Sequence, residues 1–456
     1  MKKNYASRFR ILLRGTVMLA FWVFIWIPPL YATEVEEISS PYGFKAWMVQ
    51  DHSLPIISLH FAFMHGGAGY DPKGKEGLAY ITAAMLTEGA GDLDSPAFKK
   101  RLEEKGIKLS VDVDSDTFYI TVKTLSEHLG EVSSLLQQVL LSPRLEQTDL
   151  DRVKKQTLTA IAANKENPEW VAENAFEQKV FANHPYAHSI LGTEQSVAAI
   201  TQDDIKNFIA MHLTRAVLHI AAVGDIRPQQ LTSMLDSNFV ELPLTKSSGD
   251  AVKEFADFPA GSETVIDMDV PQSTAVFGFK GVKREDKDFY AAYILNYILG
   301  SGNFDSRLMK RVREEKGLAY SIYTTLDTME YAGLMEGMVA SQNDNIYESL
   351  ALTKKEMDRV RNEGVTEAEL KAAKQYIIGS FPLMLDKNEK LASFLLSMDI
   401  LDLGKDYLDK RNGYIESVTL ADVHRVAKRL LTPEKLVTVI VGKKEAMKKD
   451  IQGRKE

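Results

Sequence analysis

A chain of 456 residues, 45% hydrophobic and 26% charged, can bury more than one core, and its length suggests roughly two to four domains. Its formal charge of −8 makes it a poor match for nucleic acid or anionic lipid. The absence of cysteine excludes disulfides, thiol catalysis, thiolate metal sites and a lipidated N-terminal cysteine.

Residues 1–32 read as a targeting segment. Lys2, Lys3, Arg8, Arg10 and Arg14 form a basic front, and Thr16 to Ile27 an apolar core with Trp22 and Trp26. Pro28-Pro29 breaks the helix before Leu30-Tyr31-Ala32, which offers a small residue for cleavage. The apolar run is shorter than the roughly 20 residues of a membrane span. The expectation is a cleaved signal peptide and a periplasmic or otherwise exported chain without a stable membrane anchor. An uncleaved N-terminal anchor is the other reading of the same residues. Loss of the five cations takes the formal charge from −8 to −13.

Residues 55–64 alternate and are rich in Ile, Leu and Phe, which predicts a sheet strand. A turn, Gly66 to Pro72, leads to residues 77–86, the first turns of a buried helix. Ser95-Pro96 predicts an N-cap with proline at the first helical position, opening a helix to about Lys105. Leu109–Asp114 and Phe118–Lys123 read as strands around Ser115-Asp116. From Ser126 to Ala182 the pattern is helical, with breaks near Ser142-Pro143 and Asn167-Pro168. Ala216 to Val223 is a buried strand ending at Gly224-Asp225. The polar stretch from about Leu244 to Glu263 reads as an interdomain linker. Beyond it the order returns, with strands near 264–280, helices over 286–299 and 305–315, strands over 318–340, then long helices to about Leu431.

An internal repeat supports this organisation. Thr201 to Gly224 matches Thr419 to Gly442 at constant offset, through Thr201/Thr419, Asp204/Asp422, Leu213/Leu431, Thr214/Thr432, Val223/Val441 and Gly224/Gly442. In both copies Thr or Asp begins a helix that a strand follows. Gly-Leu-Ala-Tyr at 77–80 and 317–320 has a different offset and reads as coincidence. The fold class is α+β, two similar halves that are each a mainly antiparallel sheet covered by helices. The divisions are a signal peptide over 1–32, an N-terminal domain over 33–245, a linker over 246–262 and a C-terminal domain over 263–456.

Several motifs then occur in order: Gly66-Gly67-Ala68 before the helix, Asn183-His184-Pro185-Tyr186 with Gly192-Thr193, and Val223-Gly224-Asp225. Pro271-Gln272-Ser273 and Ser306-Arg307-Leu308 to Arg313-Glu314-Glu315-Lys316-Gly317-Leu318-Ala319-Tyr320 follow. The set resembles the pitrilysin/insulinase (inverzincin) family of zinc peptidases, in particular two-domain members such as the mitochondrial processing peptidase. The likeness runs from about Val49 to Val441 and implies the processing-peptidase/LuxS-like metallohydrolase fold. Active members place two histidines, four apart, and a distal Glu on zinc, while a Glu within H-x-x-E-H serves as general base. The matching positions here are Tyr80 (first His), Ala83 (general base), Ala84 (second His) and Ala160 (distal Glu). All four functions are absent together. No metal site is therefore expected on this chain, and zinc is expected in a partner subunit.

The histidines offer no replacement. His60 and His65 lie five apart, whereas same-face strand partners lie two or four apart, so with His52 they read as surface or turn residues. His184 and His188 bracket Pro185-Tyr186, which the family carries without catalytic duty, so a structural role is expected. Gly300-Ser301-Gly302-Asn303 reads as a tight turn, lacking the strand-to-helix setting of a phosphate loop.

The resemblance implies that Arg313 and Tyr320 bind substrate near the scissile carbonyl, since both donate to an oxygen gaining negative charge. It implies a non-catalytic subunit of a heterodimeric zinc endopeptidase, inactive alone. A homologous H-x-x-E-H subunit would be its partner, and extended peptides or unfolded proteins the substrates, bound by strand addition to the partner's sheet edge. A structural or peptide-binding scaffold without peptidase activity is the alternative. No G-x-S-x-G, P-loop or paired-carboxylate motif supports a self-sufficient hydrolase.

Overall fold

Alternating hydrophobicity divides the first sheet into two faces, and a computed structural model shows what covers each. The structure describes residues 34–244 and 252–447, so the signal peptide reading, part of the linker and the extreme C-terminus lie outside the described residues.

The first half runs β1 (Glu36–Ser39), β2 (Lys45–Gln50), β3 (Ile56–Met64), α1 (Leu78–Met85), α2 (Ser95–Glu104), β4 (Lys108–Val113) and β5 (Thr117–Leu125). It continues through α3 (Leu129–Leu141), α4 (Gln147–Asn164), α5 (Pro168–Val180), α6 (Glu194–Ala199), α7 (Gln202–His212), β6 (Leu218–Gly224) and α8 (Pro228–Asn238). The second half runs β7 (Ser262–Asp267), β8 (Gln272–Lys280), α9 (Phe289–Asn296), β9 (Ala319–Thr328) and β10 (Gly333–Gln342). It ends with α10 (Ile346–Glu363), α11 (Glu367–Ser380), α12 (Asn388–Ile400), α13 (Tyr407–Ser417), α14 (Leu420–Leu430) and β11 (Val437–Gly442).

The sheets have strand orders β1-β2-β6-β3-β5-β4 and β7-β11-β8-β10-β9. Each has one parallel pair, β2 with β6 and β7 with β11, and is otherwise antiparallel. Apart from β1 the two orders correspond strand for strand, which is the repeat seen in space. The repeat's own signature is a capping box in each half. Asp204 Oδ2 accepts from the Thr201 backbone N–H at 2.8 Å, and Asp422 Oδ2 from that of Thr419 at 3.0 Å. The two threonine hydroxyls cap the third N–H of α7 and α14 in return.

Ile57, Leu59, Phe61 and Phe63 on one face of β3 pack under the helices of the first half, and Ala275, Phe277 and Phe279 of β8 do the same in the second. The opposite faces are covered by exchange. Ala172, Phe176 and Val180 of α5 pack on Val276, Leu334, Met338, Val437, Val439 and Val441 of the second sheet. Ala392, Leu395, Leu396 and Met398 of α12 pack on Trp47, Val49, Ala62, Ala221 and Val223 of the first. The halves thus interlock through corresponding helices.

The β9–β10 turn makes a further join. Tyr331 N–H donates to the Tyr186 hydroxyl at 3.3 Å, and Glu330 N–H to Asp116 Oδ2 at 3.1 Å. The Tyr70 and Tyr331 hydroxyls meet at 2.9 Å, and Tyr186 donates to Asp116 Oδ1. Burial pushes the Asp116 carboxyl up to about 6.

Local differences from the sequence reading have local causes. The cap of α2 is Asp94, one residue earlier than Ser95, because its carboxylate reaches the Ala97 N–H at 2.9 Å. Strands β1 and β2 form from a stretch that carried no strand expectation. The helices expected over 286–299 and 305–315 give way to π-helical segments at Tyr297–Ser301 and Met309–Glu314. Gly77 precedes a helix and Gly317 a strand, so the two Gly-Leu-Ala-Tyr copies occupy unrelated places.

Candidate functional site

The place where the sequence puts a degenerate zinc helix is α1. Its N-terminus is held by the Asp71 carboxylate, which accepts from the Gly77 and Ala79 N–H groups at 2.7 and 2.8 Å. Burial pushes Asp71 up to about 7, against those two bonds. Gly77 has φ +95°, and a Cβ there would come within 2.6 Å of the Leu191 carbonyl oxygen, so only glycine fits. Leu78, Ala79, Ile81, Thr82, Ala83 and Met85 of this eight-residue helix are buried.

Tyr80 and Ala84, one turn apart, are half-buried and pack against the first core. Ala160, also half-buried, lies on α4, which packs against α1. Ala83, at the general-base position, is 3% exposed and belongs to the core. Zinc needs at least three protein donors. One phenol and three methyls do not fit it, and no catalytic step can be derived through a metal on this chain. Among the described residues, no group of three or more His, Asp or Glu side chains is arranged to hold a metal.

The histidines are occupied elsewhere. His52 Nδ1 bonds Asp225 at 2.7 Å, and His65 Nε2 bonds Glu330 at 3.0 Å. His60 corrects the surface reading. It is 5% exposed on the α12 side of β3, and burial holds its ring down at about 4, so it is a neutral core histidine. His184 accepts from the Tyr186 N–H at 3.2 Å and bonds the Lys253 carbonyl at 2.8 Å, a structural role.

The second half brings its two expected residues together. The Arg313 guanidinium lies 5.6 Å from the centre of the Tyr320 ring. A β-bulge aims the tyrosine. Ala340 faces Ser321 but Ser341 faces Ala319, so Tyr320 has no cross-strand partner in this ladder, and the residue is 75% exposed. Arg313 sits in the π-helical segment Met309–Glu314, and among the described residues it makes no ion pair.

The same guanidinium lies 4.9 Å from the ring of Phe304, which the sequence reading left out. Phe304 follows the short glycine loop, and that loop is pinned. A Cβ on Gly300 would meet Thr324 Oγ1 at 2.2 Å, and one on Gly302 the Tyr297 carbonyl at 2.7 Å. Thr324 in turn donates to the buried Asn296 side chain at 2.7 Å. The available signal was an aromatic residue placed directly after Gly-Ser-Gly-Asn. Phe304, Arg313 and Tyr320 form a cluster of two exposed rings and a half-buried cation.

Two linked α+β halves, with an adjacent Arg/Tyr pair in the second and no metal ligands at the corresponding helix of the first, define a metallopeptidase-like scaffold without its metal set. The family model described as Insulinase (Peptidase family M16) matches residues 58–194, and that described as Peptidase M16 inactive domain matches residues 199–377. The chain is 31% identical over 382 residues to the non-peptidase homolog YmxG of Helicobacter pylori, covering 83% of this chain and 86% of the relative. It is 27% identical to an uncharacterized zinc protease of Mycobacterium bovis, covering 83% and 87%. A solved peptidase M16 inactive domain from Pseudomonas fluorescens superposes with a TM-score of 0.85 at 26% identity, covering 91% of this chain and 99% of that one. The chain belongs to the M16 (insulinase) family, and it is an inactive-type member that lacks the catalytic set.

Proposed function

We propose that this chain is the non-catalytic subunit of a heterodimeric zinc endopeptidase. A homologous subunit with an intact H-x-x-E-H motif supplies zinc and the general base. This chain supplies Arg313, Tyr320 and part of the chamber wall. The carrying observation is the contrast between the two places: every metal and base function is missing from α1 and α4, yet a half-buried Arg313 stands beside an exposed Tyr320.

The chemistry available to the pair is hydrogen-bond donation. A phenol O–H and guanidinium N–H groups can hold the carbonyl of an extended peptide and strengthen as that oxygen gains charge. Extended peptides or unfolded segments are the matching substrates. β4 and β9 each end a sheet and leave a row of backbone groups able to pair with an added strand. The basic front and apolar run of residues 1–32 support work in the periplasm or outside the cell, and mass spectrometry of the exported chain should find it cut after Ala32.

The test is reconstitution with a homologue that carries H-x-x-E-H, followed by cleavage of an internally quenched peptide. Neither protein alone should cleave, the pair should, and zinc should travel with the partner. Chelator-sensitive cleavage by this chain alone overturns the proposal. A pair in which Arg313→Ala and Tyr320→Phe both cleave like wild type would instead favour a scaffold without a substrate role.

A further inference from the structure

Three backbone irregularities converge on this cluster. The π-helical segments Tyr297–Ser301 and Met309–Glu314 lie on either side of Phe304, closed by Gly302 N–H to the Tyr297 carbonyl and Glu315 N–H to the Lys310 carbonyl, each at 2.9 Å. The bulge at Tyr320 is the third. π-Helical turns are rare and concentrate at functional sites, and bulges re-aim side chains there.

Phe304 itself is 60% exposed, so folding leaves most of its ring in water. Its loop could not easily be otherwise, because Gly300 and Gly302 are fixed against Thr324 and Tyr297. The guanidinium bridges Phe304 and Tyr320 at 4.9 and 5.6 Å, within cation–π range of both. Stacked in this way, a guanidinium offers its N–H edge to a carbonyl, while the outer parts of the rings remain apolar walls. A residue held there by its backbone carbonyl would place its side chain against Phe304.

We propose that Phe304 is a specificity-determining residue of this surface, taking a large apolar side chain of the extended peptide beside the carbonyl held by Arg313 and Tyr320. This rests on the reading of Arg313 and Tyr320 as peptide-binding residues. It adds a substrate class to that reading: peptides with an aromatic or long aliphatic residue at the gripped position. A carboxylate side chain is the competing occupant, since Arg313 has no anionic partner among the described residues.

The test uses the full chain without any partner and three fluorescein-labelled ten-residue peptides, identical except for Phe, Ser or Glu at the centre. Binding is read by fluorescence anisotropy. Wild type should hold the Phe peptide about three- to tenfold more tightly than the Ser peptide, the span of one aromatic contact. Phe304→Ala should erase that preference without changing the melting temperature, and Phe304→Leu should restore most of it. Arg313→Ala and Tyr320→Phe should weaken all three peptides together. A Phe preference that survives Phe304→Ala overturns the proposal, as do tighter binding of the Glu peptide and no binding of the Phe peptide up to about 1 mM. If Arg313→Ala and Tyr320→Phe leave all three affinities unchanged, it is the reading of the pair that fails.

Discussion

Ala160 of α4 in the first half and Tyr376 of α11 in the second each lie four residues before the end of their helix. The surroundings of the two positions differ in kind. In the first half α1 is a regular helix, and Tyr80, Ala83 and Ala84 pack with its core. In the second, α9 opens into a π turn, the Tyr376 ring lies tilted against Tyr297 with centroids 5.3 Å apart, and the nearby strand β9 carries the Tyr320 bulge. Where the family's polar functions are missing, the backbone is smooth and the side chains serve the core. Irregular backbone forfeits ordinary hydrogen bonding and persists only where its surroundings over-determine it. The contrast is the one that the proposed function expects, with peptide-binding chemistry in the second half, and three changes can break or sharpen it.

The largest effect should come from the helix exchange, which the two halves share. Phe176 of α5 is fully buried against the second sheet, its ring reaching the backbone at Gly278. Phe176→Ala should cost about 3–5 kcal/mol in urea unfolding, as deletion of a core aromatic does. It should loosen the two halves in one transition, since α5 belongs to one and covers the other. A loss below about 1 kcal/mol would mean that the exchanged helix is not what couples them.

That exchange marks the boundary of what the sequence could reveal. Strand alternation, proline breaks and the Thr–Asp capping boxes are local signals, and they placed most helices and strands and the repeat itself. Which sheet a helix covers is set by long-range packing. The apolar stripe Ala172–Phe176–Val180 reads the same whether it faces its own sheet or another's. Within the candidate site, the motif frame gave Tyr80, Ala83, Ala84, Ala160, Arg313 and Tyr320. Phe304 was missed because its place beside Arg313 depends on two π segments, and a π turn has the same residue pattern as the α-helix it interrupts. His60 was misplaced because its neighbour α12 arrives from the other half.

The seam made by α5 also predicts a pH dependence of intermediate size. Glu173 and Glu177 of α5 face Asp327 of β9 and Glu336 of β10, with Glu169 and Tyr323 nearby. Among the described residues these carboxylates have no cation within ion-pair distance. Burial, then the neighbouring carboxylates, pushes Glu177 up to about 7 and Glu336 up to about 8, and burial raises Asp327 too. Their folded values exceed the unfolded ones, so the fold holds extra protons. Stability should be highest below about 4.5 from these groups and fall as pH rises through 7 and 8. The drop should be on the order of 2–3 kcal/mol between pH 6 and 9. Thermal melts across that range should show it, and Glu336→Gln should flatten the curve and raise stability at pH 9. A flat wild-type profile would show that the carboxylates are solvated or paired in solution.

The smallest effect on stability should accompany the largest effect on function. Tyr320 is 75% exposed at a bulge, and its hydroxyl supports nothing in the fold among the described residues. Tyr320→Phe keeps the ring beside Arg313 and removes one donor, so the melting free energy should stay within about 0.5 kcal/mol. If that donor meets a carbonyl oxygen as charge develops, the turnover of the reconstituted pair should fall about 100-fold, the loss expected for one preorganised donor. The fall in kcat should exceed the rise in KM, because the bond that the hydroxyl already makes to the bound peptide strengthens further as charge develops in the transition state. Arg313→Ala removes the cation from between two rings as well as its donors, and should raise KM besides lowering kcat. A Tyr320→Phe pair that loses binding without losing turnover would make the hydroxyl an anchor for the substrate. The second half would then be a peptide-holding surface whose irregular backbone serves recognition alone.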